Sequence, residues 1–87
     1  MHFTWDDENI EHLASHGVRP EEAEEVVTHA STVILPARPP RFCAYGVTDE
    51  NRRLRVIYDQ GAEGIRVTTA YRIRRVLLAR IRKEAEL

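Results

Sequence analysis

The early part of the chain has the hydrophobic spacing of two amphipathic helices. Asp6 is suited to cap the first helix and Gly17 to end it, so the pattern predicts a helix over 7–16. Pro20 suits the first position of the second helix. Residues 2–5 alternate in polarity and predict a short strand before both helices. The apolar positions of the two helices are Ile10, Leu13 and Ala14, then Ala23, Val26, Val27 and Ala30.

After the second helix the pattern changes to short apolar and β-branched segments separated by turn residues, which is typical of β-strands. The proline-rich segment 36–40 is expected to be a loop, because proline cannot donate to a sheet. Turns are expected at 49–51 and 60–64. The predicted strands are 32–35, 41–48, 52–59 and 65–70. The alternation assigns the residues of the last two strands to opposite faces of the sheet. In the first of these strands, one face holds Leu54, Val56 and Tyr58 and the other holds Arg53, Arg55 and Ile57. In the second, one face holds Ile65, Val67 and Thr69 and the other holds Arg66, Thr68 and Ala70.

The chain ends in a predicted basic helix over about 72–86. Its core face is expected to hold Ile73, Val76, Leu77 and Ile81. The order is then a short strand, two helices, an antiparallel meander of three or four strands and a last helix. This order predicts a single α+β domain over 1–87, whose sheet has one face packed by helices and one face open.

The net charge of −1 conceals an uneven distribution. Residues 1–30 contain eight acidic residues and one basic residue, whereas 31–87 contain twelve basic and six acidic residues. A basic region of this kind is one reason to consider nucleic acid as a partner. The same distribution also stabilises helices without any partner, through acids in the first turn and bases in the last.

The chain has no apolar run long enough for a membrane span and does not begin like a signal peptide, so we expect a cytoplasmic protein with no membrane partner. Cys43 is the single cysteine, which excludes an internal disulfide. On a predicted strand and without a surrounding motif, it is expected to be a small core residue.

Five segments, in this order, resemble the BrnT-like toxin family. They are WDDENIEHLASHGV from Trp5 to Val18, then PEEAEEVV, RFCAYGVT, RLRVIYD and IRVTTAYR. The resemblance covers nearly the whole chain. It implies a RelE-like fold, ribonuclease activity on mRNA without a cofactor, and a cognate antitoxin encoded nearby. Operator DNA would then be contacted only through that antitoxin, and the oligomeric state stays open.

The chain departs from the family pattern at several positions. Ser15 replaces a lysine before the His-Gly pair, and His12 replaces an asparagine. Tyr71 occupies the place of the arginine that closes the last strand, and Arg72 follows it. These departures leave a second interpretation open, a catalytically weak module that binds an antitoxin and takes part in operon repression.

Metal-independent cleavage of RNA needs cationic or proton-donating groups beside the phosphate. Arg41, Arg55 and Arg66 lie on three predicted strands and would form an anion-binding cluster if their faces coincide; otherwise they are ordinary solvated residues. With the resemblance, Arg41 and Arg66 are the candidates for the scissile phosphate, and Arg55 and Arg72 for other contacts with RNA.

His16 is the candidate for proton transfer, although a histidine at a helix end also serves as a cap. His12 and His16 have the spacing of two zinc ligands, but no third ligand is evident, so we predict no metal site. Tyr45 and Tyr71 are candidates for stacking on RNA bases from the open face. The other large aromatics are assigned to packing, with Tyr58 in the core and Trp5 pinning the first helix to the sheet.

A stand-alone DNA-binding domain is the weakest interpretation. The chain has no evident helix-turn-helix signature, and its acidic second helix is unsuited to a DNA groove.

Overall fold

The computed structural model describes residues 2–86, which form three helices and a four-stranded antiparallel sheet. The predicted α+β order of two helices, a meander and a last helix is confirmed. The elements are α1 (Asp7–Ser15), α2 (Pro20–Thr28), β1 (Val33–Pro36), β2 (Arg41–Val47), β3 (Arg53–Gly61), β4 (Gly64–Arg72) and α3 (Arg75–Ala85).

The start of α1 is fixed to β4 by its cap. Asp6 accepts a hydrogen bond from the Asn9 backbone N–H at 3.0 Å, and the Asn9 side chain accepts one from the Asp6 N–H at 2.8 Å. The buried Asn9 amide also donates to the carbonyl oxygens of Thr4 and Val67, at 3.2 and 3.4 Å. Gly17 follows the end of the helix, with a φ of 71° that suits glycine. The cap therefore sets both the start of α1 and its position against the sheet.

The segment before α1 is less regular than its alternation predicts. Instead of a strand over 2–5, a single bridge joins Phe3 to Ile65. Trp5 packs on the core but donates its indole N–H to Glu24 Oε2 at 2.7 Å. Its polar contact is therefore with α2 rather than α1. The second helix is also shorter than expected, because His29 is already extended and Ala30 lies beyond the helix.

The strands follow one another in the sheet in the order β1-β2-β3-β4. A bulge interrupts the pairing of β3 with β4: Tyr58 lies opposite Val67, but Ile57 lies opposite Thr69. Thr68 is the extra residue, and it reverses the alternation that follows. Ala70 is therefore buried on the core face, where the sequence pattern had predicted Thr69.

The main core lies between the sheet and the pair α1 and α2. Tyr58 belongs to it, as predicted. Its buried side chains are Leu13, Val18, Ala23, Val26, Val27, Ala44, Leu54, Val56, Tyr58, Ile65, Val67 and Ala70.

The other sheet face is only partly open, because α3 packs over β1 and β2. Leu78 is 3% exposed and contacts the buried Cys43 and Tyr45. Val76, expected in the core, is 66% exposed, and Leu77 is half-buried. Ile73 and Ile81 pack against this cluster as predicted, so the core face of α3 differs from the prediction in burying Leu78 and exposing Val76.

A buried ion pair joins the start of α2 to the β2–β3 turn. The Glu22 side chain is 2% exposed and lies 2.6 Å from Arg52 Nη1. It also accepts a hydrogen bond from the Arg19 backbone N–H at 3.0 Å, while Arg52 Nη2 donates to the Gly17 carbonyl at 2.8 Å. Burial is the largest influence and raises the pKa of Glu22, but the Arg19 hydrogen bond and the Arg52 charge together hold it below its usual value.

None of the helices within residues 2–86 has the length and apolar character needed to cross a membrane.

Candidate functional site

One transverse row of the sheet places an arginine between two tyrosines. Register pairs Arg55 on β3 with Tyr45 on β2 and with Tyr71 on β4. Arg55 Nη1 donates to the Tyr71 hydroxyl at 2.6 Å, and Arg55 Cζ lies 5.5 Å from the Tyr45 ring centroid and 5.8 Å from that of Tyr71. The guanidinium is thus held by a hydrogen bond and by two aromatic faces.

Helix α1 brings two histidines to the β4 end of this row. The ring centroids of His16 and Tyr71 are 6.1 Å apart, and those of His12 and His16 are 5.3 Å apart. His12 Nε2 lies 3.1 Å from Thr69 Oγ1. Both imidazoles are exposed, so a solvent-borne ligand can reach them. We call His12, His16, Arg55 and Tyr71 the His–Arg–Tyr cluster.

The charge of Arg55 is not cancelled by a neighbouring carboxylate. Within residues 2–86, Arg55 forms no ion pair. Its Nε is buried and has no hydrogen-bond partner. Its Nη2 lies 3.7 Å from Cys43 Sγ, a weak contact. Burial raises the pKa of Tyr45, so this phenol stays protonated beside the guanidinium. The cluster therefore presents positive charge and proton-donating groups to its surroundings.

Arg41 and Arg66 lie in a different row. Both are opposite Asp59 in the register, and Asp59 is four residues along β3 from Arg55, roughly 13 Å at the usual rise per residue. Arg41 Nε contacts Asp59 Oδ1 at 2.9 Å, and Arg66 Nη1 contacts Asp6 Oδ2 at 2.7 Å.

These contacts also affect titration: the hydrogen bond from Arg66 lowers the pKa of Asp6. Arg41, Arg55 and Arg66 lie on the same face of the sheet, which was the condition for a cluster. Arg41 and Arg66 are nevertheless distant from Arg55 along β3, and each forms an ion pair with a carboxylate instead.

Two other sequence-based candidates are placed differently from expectation. Tyr45 is 7% exposed under α3, so it supports Arg55 from below and has no free face for a base. Arg72 is exposed and pairs with Leu54, on the opposite sheet face from its neighbour Tyr71. Tyr71 itself is half-buried and remains accessible at the β4 side of the cluster.

The places of His12 and Thr69 in this site were not predicted from the sequence. The signal for His12 was present, because residues four apart share a helix face. The same spacing is also that of two zinc ligands, and it does not by itself place His12 beside Thr69. Across residues 2–86, no three His, Cys, Asp or Glu side chains are grouped so that they could hold a metal ion. Thr69 reaches the cluster only through the bulge at Thr68, which alternation alone does not predict.

The chain matches no protein-family model and no curated protein.

Proposed function

We propose that this chain is a metal-independent endoribonuclease of the BrnT-like type, the toxin of a cytoplasmic toxin–antitoxin pair. The observation that carries the proposal is the His–Arg–Tyr cluster. In it a guanidinium without a carboxylate partner donates to the Tyr71 hydroxyl, the Tyr71 ring lies 6.1 Å from the His16 ring, and His12 lies next to His16. The resemblance of the five sequence segments to the BrnT-like family adds support from a separate direction.

The proposed reaction is attack of an RNA 2′-hydroxyl on its neighbouring phosphorus. His16 removes the hydroxyl proton, the oxygen forms a bond to phosphorus, and the bond to the 5′-oxygen breaks. His12 donates a proton to the departing oxygen, which yields a 2′,3′-cyclic phosphate and a 5′-hydroxyl. Imidazoles suit both steps because they exchange protons near neutral pH.

Arg55 and Tyr71 are assigned to the phosphate oxygens. Negative charge builds up on these oxygens in the transition state, and a fixed guanidinium is suited to stabilise it. Because Tyr71 accepts its hydrogen bond from Arg55, its own hydroxyl proton is free to be donated to a phosphate oxygen. Arg41 and Arg66 are assigned to RNA outside the scissile phosphate, where each would exchange its carboxylate partner for a phosphate.

The test is single-turnover cleavage of a labelled RNA in EDTA, with an otherwise identical 2′-deoxy strand as the substrate control. Arg55→Ala and His16→Ala should each slow cleavage by about 10²-fold, the usual loss when one transition-state donor is removed. Arg80→Ala, at an exposed position of α3, is the charge-matched control and should cleave normally. Thermal melts establish that every variant is folded.

The double variant Arg41→Ala with Arg66→Ala separates the two rows of the sheet. It should retain most of the catalytic rate at saturating RNA, since neither residue is near the cluster. Complete loss of the rate in this variant, with Arg55→Ala still active, would move the reaction to the Arg41–Asp59–Arg66 row.

The second candidate is an antitoxin-binding module with weak or no catalysis. It is favoured by the carboxylate pairing of Arg41 and Arg66 and by the burial of Tyr45, which leave fewer groups for RNA. In either case the proposed partner is a DNA-binding antitoxin encoded nearby, through which operator DNA is contacted. Co-expression with the adjacent reading frame, followed by co-purification and the cleavage assay, distinguishes the candidates: the module forms the complex but leaves RNA intact when freed from it.

A further inference from the structure

A second basic site lies where α3 meets the β2–β3 hairpin. A groove of about 210 Å³ opens there, and its lining includes Arg53 from β3, Arg75 and Arg82 from α3, and Asn51 from the turn. Arg75 and Arg82 are seven positions apart, so they lie on the same side of the helix. The lining of the groove thus includes three arginines and one asparagine.

The positive charge of this groove is not neutralised by the protein. No carboxylate is among its lining residues, and the ion pairs found in residues 2–86 involve none of the three arginines. Arg53 Nε is buried and has no hydrogen-bond partner. Like charges at close range repel, so an anion in the groove would relieve the repulsion between these arginines.

The start of α3 adds to this potential. α1 and α2 each carry two acids in the first turn, whereas α3 carries none. Its N-cap residue, Arg74, makes no side-chain capping bond. The partial positive charge of the helix N-terminus is therefore not offset by a local carboxylate and adds to the potential at the Arg75 end of the groove, whereas Arg82 lies in the last turn of the helix.

The groove is next to the His–Arg–Tyr cluster. Arg53 precedes Arg55 by two residues on the same sheet face, a distance of roughly 7 Å along β3. That separation is about one nucleotide step of an extended RNA strand. The groove has no aromatic residue among its lining, so it is suited to a phosphate rather than to a stacked base.

We propose that this groove binds the RNA phosphate adjacent to the scissile one. The inference rests on the proposed function, because it names the path of the same substrate. Single-stranded RNA is favoured over an acidic peptide because Val47 and Leu78, the larger apolar residues of the lining, are half-buried or buried and leave no open socket for a peptide side chain.

The experiment measures binding of a short 2′-O-methyl oligonucleotide by fluorescence anisotropy. The blocked 2′-oxygen prevents cleavage, so affinity is measured apart from catalysis. The test variant is Arg75→Gln with Arg82→Gln, which keeps part of each side-chain stem. The matched control is Arg80→Gln with Lys83→Gln, which removes the same charge from exposed positions of the same helix outside the groove.

The test variant should bind roughly tenfold more weakly than the control, and the slope of log affinity against log salt should fall by about 0.7 for each lost phosphate contact. Cleavage of a dinucleotide should be equal in both, because it spans only the scissile phosphate. If the double variant does not fold, Arg82→Gln alone should give a smaller loss of the same kind, with Arg80→Gln as its control.

Equal affinities of the test and control variants would overturn the groove assignment while leaving the cleavage reaction intact. The assignment would also be overturned if the test variant lost affinity for a polyglutamate peptide but not for the oligonucleotide, because the groove would then be a protein-binding site. Failure of the parent chain to bind the oligonucleotide would also overturn it. Conversely, a parent chain that binds the oligonucleotide through Arg75 and Arg82 but cleaves no RNA would refute the proposed reaction and retain the phosphate site.

Discussion

Replacing Arg52 with alanine should remove much of this small domain's stability. The Glu22 side chain is 2% exposed. Without Arg52, the remaining partners of its carboxylate are the Arg19 backbone N–H and, at 3.6 Å, Arg19 Nε. It also removes the hydrogen bond from Arg52 to the Gly17 carbonyl, which closes the turn between α1 and α2. The variant therefore combines an unpaired buried charge with a loosened helix connection.

The size of the loss can be worked from these contacts. Breaking a fully buried ion pair by removing one partner costs about 3–5 kcal/mol. The Arg52 side chain is 27% exposed, so water enters the space it leaves, and we expect about 2–3 kcal/mol. For a domain of this size, that corresponds to a fall in Tm of roughly 10–20 °C. Urea denaturation followed by circular dichroism measures the free energy, and Arg19→Ala, at a 59% exposed side chain, is the control expected to change little.

The effect should depend on pH in a defined direction. In the parent chain the pKa of Glu22 lies below the ordinary 4.5, so its ionisation stabilises the fold above that value, and the stabilisation is lost as the pH falls through the lowered pKa. Without Arg52, burial should raise the pKa of Glu22, and protonation then removes the unpaired charge. The difference between parent and variant should therefore be largest at neutral pH and shrink on acidification. A difference that is small, or the same at neutral and acidic pH, would refute this account of the ion pair.

Two further predictions concern packing. Leu78→Ala should lower the free energy of unfolding by about 2–4 kcal/mol, because it opens a cavity beneath α3, whereas Val76→Ala should change it by no more than about 0.5 kcal/mol; equal effects in urea titrations would mean that α3 packs through another face. Gly46→Ala should lower the free energy of unfolding by about 1–3 kcal/mol, because an added Cβ would overlap Thr32 Oγ1 and press on Val26. Thermal melts of Gly46→Ala in the parent chain and in a Thr32→Ala background check this, since removal of the hydroxyl should recover part of the lost stability.

Local signals were sufficient to predict most of the secondary structure. The apolar stripe of α2, the turn residues and the alternation in β3 each depend on neighbours within a few positions. The phase of β4 was predicted incorrectly after Thr68, because a bulge arises from the pairing of two strands and leaves no mark in the alternation of either. In α3, likewise, the apolar spacing does not decide that Leu78 is buried and Val76 exposed, because this depends on how the helix packs on the sheet.

The candidate site was less predictable because it is built from long-range contacts. His16 and Tyr71 meet only because α1 packs on β4, at a sequence separation that no local pattern encodes. Arg41 and Arg66 had the right residue type and the right face, but their carboxylate partners, Asp59 and Asp6, were not foreseen. Charge pattern identifies which residues can bind an anion, whereas the register decides which of them are already neutralised.

The attachment of the N-terminal segment to β4 has a consequence for association between chains. The outer backbone of β4 is partly covered: the Thr4 N–H donates to the Ile65 carbonyl, the Ile65 N–H donates to the His2 carbonyl, and the Asn9 amide donates to the Val67 carbonyl. That border of the sheet is therefore shielded from pairing with a foreign strand. At the opposite border, β1 is four residues long and ends in Pro36, which cannot donate a hydrogen bond. Unwanted growth of the sheet is thus restrained by a covering segment on one side and by brevity and proline on the other.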